Sequence, residues 1–327
     1  MTVAGICNGG WIYRDRIGPA DDGVALTAWY ARRYRHSDRP VWLQRLAAGE
    51  LHRNGRPAAG DGPLAAGDQL AWHRPPWCEP LVPQHWDVLH DDGDLHVIAK
   101  PPGLPVLPAG GFLDHTLLRL LERRWAGDPA GVPRPVHRLG RGTSGVLVCA
   151  RRPASRAWLS RCLRDSTATA SDGCRKVYRT LLQPGRLALE VGDALELRTP
   201  IGRRPHPGLG QLWAAAAEGD PGALAALSRL QLLERRPEAD LAEVTIASGR
   251  PHQIRIHCAA AGAPLLGDPL YGPGGLALAA ALPGDGGYSL HALRVQLQRP
   301  DGSWLVVEAP PPAALRPGVG SGRSGSR

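Results

Sequence analysis

The stretch Val136-His137-Arg138-Leu139-Gly140-Arg141-Gly142-Thr143-Ser144-Gly145 leads directly into a continuous apolar run, Val146-Leu147-Val148-Cys149-Ala150. A short uninterrupted apolar run suits a strand buried on both faces, which makes the preceding residues a loop at its entry. Pro153 then opens a helix reaching to about Leu163, since the N–H that proline lacks is not needed in a first turn. The charged members of the loop core are Arg138 and Arg141. Gly140 and Gly142 carry no side chain, so neither can serve as nucleophile or base. An acid acting here must come from elsewhere, with Asp128, Asp165 or a residue distant in sequence as the candidates.

Downstream, Lys176-Val177-Tyr178-Arg179-Thr180-Leu181-Leu182 reads as the next strand and places Tyr178 on it. Ser248-Gly249-Arg250-Pro251-His252-Gln253-Ile254-Arg255-Ile256-His257 reads as a turn entering a helix over about 251–261. Pro251 suits the first turn of that helix and Gly262 its C-terminal cap. The expected apolar stripe is Ile254, His257, Cys258 and Ala261, with Arg255 beside it near the N-terminal end, where the helix dipole favours an anion. Pro264-Leu265-Leu266-Gly267-Asp268-Pro269-Leu270-Tyr271-Gly272 follows. Residues 290–297 and 304–307 alternate like paired strands around the turn Pro300-Asp301-Gly302. Residues 202–224, rich in Gly, Pro and Ala, read as a variable insertion, and the end of the chain from 313 to 327 as a disordered tail.

Upstream, residues 86–100 read as strand, turn, strand around Asp92-Gly93-Asp94; Lys100-Pro101-Pro102-Gly103 follows as a stiff loop, then a helix near 115–125. Four prolines in the ten positions 74–83 mark an extended linker. The expected organisation is therefore a module over 1–74, a linker over 75–85, a main domain over 86–312 and the tail. Within the module, 26–72 reads as two short helices followed by small extended pieces. Positions 31–56 hold seven arginines (Arg32, Arg33, Arg35, Arg39, Arg45, Arg53, Arg56) against the acids Asp38 and Glu50, a plausible phosphate-contacting surface.

The whole chain carries 39 basic against 30 acidic residues, a net +9, which favours a polyanionic partner such as RNA. Codon bias toward arginine, alanine, glycine and proline is the competing explanation of that composition. No apolar run is long enough to span a membrane, and the first ten residues lack a signal-peptide pattern, so cytoplasm is the expected location. The six cysteines show no Cys-x-x-Cys pair and are expected to be reduced and mostly buried. His252 and His257 lie five apart, on different faces of a helix or a strand, so no metal site is expected there.

Taken in order, the loop at 137–145, Tyr178 in its Lys-x-Tyr context, the block 248–257 and the block 264–272 resemble the motifs of RluA-type pseudouridine synthases over most of residues 86–310. That resemblance implies an α+β fold with a mixed, mainly antiparallel central sheet and flanking helices, and an RNA uridine-to-pseudouridine isomerase working without metal or redox cofactor. It implies a structured RNA partner, ribosomal or transfer, and a monomer. The family pattern has Asp where Gly140 stands. It implies that Arg255 pairs with that carboxylate and Tyr178 stacks on the target base, with Arg138, Arg141, Thr143, Arg250 and His252 on the RNA. Residues 1–74 loosely resemble an S4-like RNA-binding module, which adds Arg32, Arg33, Arg35 and Arg45 to the RNA contacts. The alternative reading is an RNA-binding protein that uses the same cleft without catalysis; a basic protein with no RNA role is a third. An acid near Tyr178 and Arg255 is the feature expected to favour the enzyme.

Overall fold

The computed structural model describes residues 7–165, 174–246 and 249–318. It divides the chain into two compact units, Met1–Leu81 with His206–Gly210, and Val82–Pro205 with Gln211–Arg327.

In the first unit, β1 (Trp11–Arg16) precedes α1 (Leu26–Arg33) and α2 (Arg39–Ala47), followed by β2 (Leu51–Arg53), β3 (Arg56–Pro57) and β4 (Gln69–Arg74). The four strands form an antiparallel sheet in the order β1-β4-β2-β3. The two helices and the extended pieces after them are those expected over 26–72; β1 lies upstream of them. Asp38 caps α2 by accepting the Val41 N–H, with Pro40 in the first turn where it costs no hydrogen bond. The core is aromatic: Tyr30 stacks on Trp42 with centroids 4.7 Å apart, and Trp42 meets Trp72 edge-on at 4.8 Å. Cys7 and Cys78, both exposed, form a disulfide, which corrects the expectation of six reduced, mostly buried cysteines. Cys149 and Cys258 are buried free thiols, and Cys162 and Cys174 are partly buried.

The second unit contains β5 (Asp87–Asp91), β6 (Leu95–Lys100), α3 (Leu117–Arg124), β7 (Arg134–Pro135), β8 (Ser144–Ala150), α4 (Pro153–Asp165), β9 (Cys174–Leu182), β10 (Ala194–Leu197), β11 (Ile201–His206) and β12 (Gly210–Ala215) apart from His206 and Gly210 at their tip, β13 (Ser228–Arg235), β14 (Asp240–Ile246), α5 (Gln253–Ala260), β15 (Leu290–Gln298) and β16 (Trp304–Glu308). Its central sheet runs β10-β13-β14-β9-β15-β8-β6-β5, with β16 on β15 and β7 on β8. The pairings are antiparallel except β15 with β8, which run parallel. The fold is α+β with a mixed, mainly antiparallel sheet.

Every residue of β8 is buried, as its unbroken apolar sequence predicts. Leu147 and Cys149 pack with Leu117, Leu120 and Leu121 of α3, while Val146, Val148 and Ala150 pack with Leu159 and Leu163 of α4. Helices thus cover both faces. Gly145 is where β8 meets β15 most closely: it has φ +103°, and a Cβ there would fall 2.2 Å from the Ala292 carbonyl oxygen.

Three expectations need correction. Residues 202–224 are not featureless: β11 and β12 form a hairpin there, with Leu212 and Ala214 buried in alternation and Arg204 paired with Asp220. Its short, turn-rich halves hid the period-2 signal. The chain does not fray at 313, because Leu315 is buried within a single helical turn over Ala313–Leu315; positions 319–327 of the expected tail lie outside the described residues. The helix after Pro251 is buried on all sides and not as a stripe, and it includes Arg255. Gly262 ends it with φ +85°, as expected.

Candidate functional site

A cavity of about 460 Å³ opens in the second unit. Its walls come from the 138–143 loop, Tyr178 of β9, Trp213 of β12, residues 249–255 at the start of α5, and Pro283 and Tyr288 ahead of β15. The sheet explains this convergence. Ala292 pairs with Tyr178 on one side and with Gly145 on the other, so β9, β15 and the end of the loop share one row. Because β15 and β8 run parallel, the residues that precede each strand, Tyr288 and the loop, also come side by side.

The loop itself is firmly held. Thr143 N–H donates to the Gly140 carbonyl at 3.0 Å, closing a turn. The His137 Nε2 accepts the Val148 N–H at 3.0 Å, and burial, with Lys176 nearby, pushes the imidazole down to about 3. Ser144 donates to His291 Nδ1, and the other nitrogen of that ring donates to the Ala309 carbonyl. On the neighbouring loop, Lys100 Nζ donates to the carbonyls of Pro101, Leu104 and Arg141 at 2.8, 2.7 and 3.2 Å, and burial pushes the amine down to about 7. Lys100 is thus a buried tie between two loops.

Arg255 is almost fully buried and its guanidinium makes two hydrogen bonds to Asp268, Nε to Oδ2 at 2.7 Å and Nη2 to Oδ1 at 2.6 Å. Burial opposes its charge, and Asp268 with the flanking tyrosines more than offsets this, holding the group above its ordinary range. The guanidinium lies 4.2 Å from the Tyr288 ring centroid and 5.1 Å from that of Tyr271. Asp268 also accepts the N–H groups of Leu270 and Tyr271. It is therefore committed, and it does not line the cavity.

His252 caps α5 in the left-handed region at φ 56°. Tyr271 donates its hydroxyl to the Trp213 carbonyl at 2.7 Å, so its oxygen receives the proton on His252 Nδ1, also at 2.7 Å. That tautomer leaves Nε2 as an acceptor. Burial and then Arg255 push the imidazole down to about 4, so it is neutral near pH 7. Tyr178 is buried and its phenol is pushed well above the usual range by desolvation, which keeps it neutral too.

Of the residues singled out in the sequence, Arg138, Gly140, Thr143, Tyr178, Arg250, His252 and Arg255 share the cavity wall. Arg141 does not: it donates to the Gly284 carbonyl and lies over Phe112. Arg32, Arg33, Arg35 and Arg45 belong to the other unit, where Arg32 pairs with Asp21, Arg33 with Asp15, and Arg45 lies over Trp42 and Trp72. Asp128 does not line the cavity, and the Asp165 side chain is outside the described residues. No carboxylate lines the cavity among the described residues. The carboxylate that pairs with Arg255 is not on the 137–145 loop, as the resemblance implies, but is Asp268, thirteen positions further on in the Gly-Asp-Pro-Leu-Tyr-Gly block. Trp213 and Tyr288 were missed; an aromatic residue just before the alternating strand at 290 was the available signal for Tyr288.

Residues 94–260 match the family model of the RNA pseudouridylate synthases. An uncharacterized RNA pseudouridine synthase of Synechocystis is 44% identical over 82% of this chain and 87% of that protein. The RNA pseudouridine synthase 5 of Arabidopsis thaliana is 34% identical over 94% of this chain and 95% of its own. Among solved structures, human RNA Pseudouridylate Synthase Domain Containing 4 superposes with a TM-score of 0.52 over 70% of this chain and 89% of that one, at 22% identity, a likeness of fold. The motifs, the sheet that gathers them and the relatives agree that this chain belongs to the RNA pseudouridine synthase family, of the RluA type.

Proposed function

We propose that the protein isomerises uridine to pseudouridine in structured RNA, ribosomal or transfer, as a cytoplasmic monomer, and that the cavity holds the flipped nucleotide. The observation that carries this is the single cavity wall shared by Arg138, Thr143, Tyr178, Arg250, His252 and Arg255. An extruded base needs an aromatic surface and polar partners at its edge, and a nucleotide needs cations for its phosphates. Tyr178 supplies the first; Arg138 and Arg250 supply the last. The isomerisation conserves atoms and oxidation state, so it consumes no redox partner. The first unit, in this reading, is an S4-like module adding phosphate contacts.

One observation favours the second reading, an RNA-binding protein without catalysis. The acid nearest Arg255 is Asp268, which is buried, saturated and absent from the described cavity wall, while position 140 carries no side chain. The two readings separate on pseudouridine mapping of total RNA from cells with and without the gene. Loss of a specific pseudouridine supports the isomerase; an unchanged map with RNA still recovered on the protein supports the binder.

A further inference from the structure

Tyr288 lines the cavity, and its hydroxyl takes part in none of the hydrogen bonds that hold the loop or the Arg255–Asp268 pair. The parallel pairing of β15 with β8 sets it against the loop, where an ideal Cβ on Gly140 falls 2.8 Å from the Tyr288 Oη and 3.3 Å from Thr143 Oγ1. The phenol oxygen thus occupies the space in which a side chain at 140 would begin. The residue is 7% exposed and lines the cavity, and its hydroxyl has no hydrogen-bond partner among the described residues. The Arg255 guanidinium sits 4.2 Å from its ring centroid, pinned there by Asp268. The attraction between the cation and the ring face holds the ring, and with it the hydroxyl, in place. Buried polar groups are ordinarily satisfied, so an unengaged donor in a cavity wall marks a place for a ligand atom.

We propose that Tyr288 is a catalytic residue of this chain, donating from Oη to the uracil ring in the space that Gly140 leaves open. The inference rests on the isomerase reading above. In that reaction the N1–C1′ bond breaks with its electron pair on the ring, a ring pair then forms C5–C1′, and the C5 proton passes to solvent as N1 takes one up. Between the two bond changes the ring oxygen beside N1 carries negative charge. A fixed O–H aimed at that oxygen stabilises the charge where it develops, without losing its own proton.

The test uses the full-length protein and pooled cellular RNA labelled with C5-tritiated uridine, with enzyme in excess so that a single turnover is read. Tyr288→Phe removes the hydroxyl and keeps the ring under Arg255. Tritium release should slow by about 100-fold, the scale for loss of one such donor, with retention of the RNA on filters changed less than about twofold and the thermal midpoint unchanged. Gly140→Ala places a methyl group against Oη and should also slow release, which keeps the proposal testable if Tyr288→Phe folds poorly. Release at the wild-type rate by either folded variant overturns the assignment while leaving the isomerase reading in place. No release by the wild-type protein overturns the isomerase reading and this assignment together.

Discussion

Arg255 and Asp268 form a closed ion pair in which side-chain exposure is 4% and 0%. Its two hydrogen bonds join the first turns of α5 to the loop over 264–272 and fix the guanidinium above Tyr288. Breaking a buried pair by removing one partner leaves an uncompensated charge, so Asp268→Asn should cost about 3–5 kcal/mol. Urea unfolding of wild type and variant measures it; a loss under about 1 kcal/mol would mean that water or another acid reaches Arg255.

Gly140 and Tyr288 constrain one another. Gly140 does not have positive φ, so the obstacle to Gly140→Asp is steric: its Cβ meets Oη at 2.8 Å. The single variant should therefore lose stability by about 1–3 kcal/mol, the range for overpacking, and should not gain activity. Combining it with Tyr288→Phe removes the crowded oxygen, so the double variant should be more stable than the sum of the singles. Simple additivity in the urea midpoints would contradict the contact.

Tyr178 shares the Ala292 row with the loop and faces the cavity. Tyr178→Leu keeps much of the apolar volume and loses the aromatic surface. Binding to single-stranded or looped RNA should weaken by about 1–3 kcal/mol, the value of one stacked base, and Tyr178→Phe should bind like wild type. Equal affinities for all three would reduce Tyr178 to strand packing.

How far the sequence was legible depended on the range of the contacts involved. Local signals placed β8, α4 and the hairpin of β5 and β6, because apolar continuity, Pro153 and the Asp-Gly turn act within a few residues. An aromatic residue ahead of the alternating strand was visible, but the place of Tyr288 beside Gly140 was not, since it depends on strands separated by 147 positions pairing in parallel. The same holds for charge. Four of the seven arginines counted at 31–56 are paired with Asp15, Asp21, Asp61 and Asp68, acids outside the counted window that the fold brings back.

That pairing refines the RNA prediction for the first unit. Arg35 and Arg56 are exposed and outside those ion pairs, so replacing either with alanine should lower the salt slope of RNA binding by about 0.7–0.9, the value of one phosphate contact. Arg32 and Arg33 sit beside carboxylates and should contribute less. Equal effects from all four in filter-binding titrations against salt would contradict the pairing argument.

Two half-buried histidines, His252 and His137, make a pH prediction with a definite sign. Burial holds His252 down to about 4 and His137 down to about 3, whereas the unfolded chain takes up a proton near 6.5. The unfolded state therefore binds more protons below 6.5, and stability falls as pH drops from there through 4. Each group contributes at most about 1.4 kcal/mol per pH unit. His252→Gln should shrink the difference in unfolding free energy between pH 7 and pH 5; an unchanged difference would mean that His252 is charged in the fold.

A cavity without a carboxylate on its described wall is expected still to isomerise uridine. Incubating the wild-type protein with cellular RNA carrying C5-tritiated uridine measures this directly, because forming the C5–C1′ bond displaces the C5 hydrogen to water. Time-dependent release of tritium is the result expected. RNA retained on the protein with no tritium released above a protein-free blank would contradict the claim and leave a binding protein with a synthase fold.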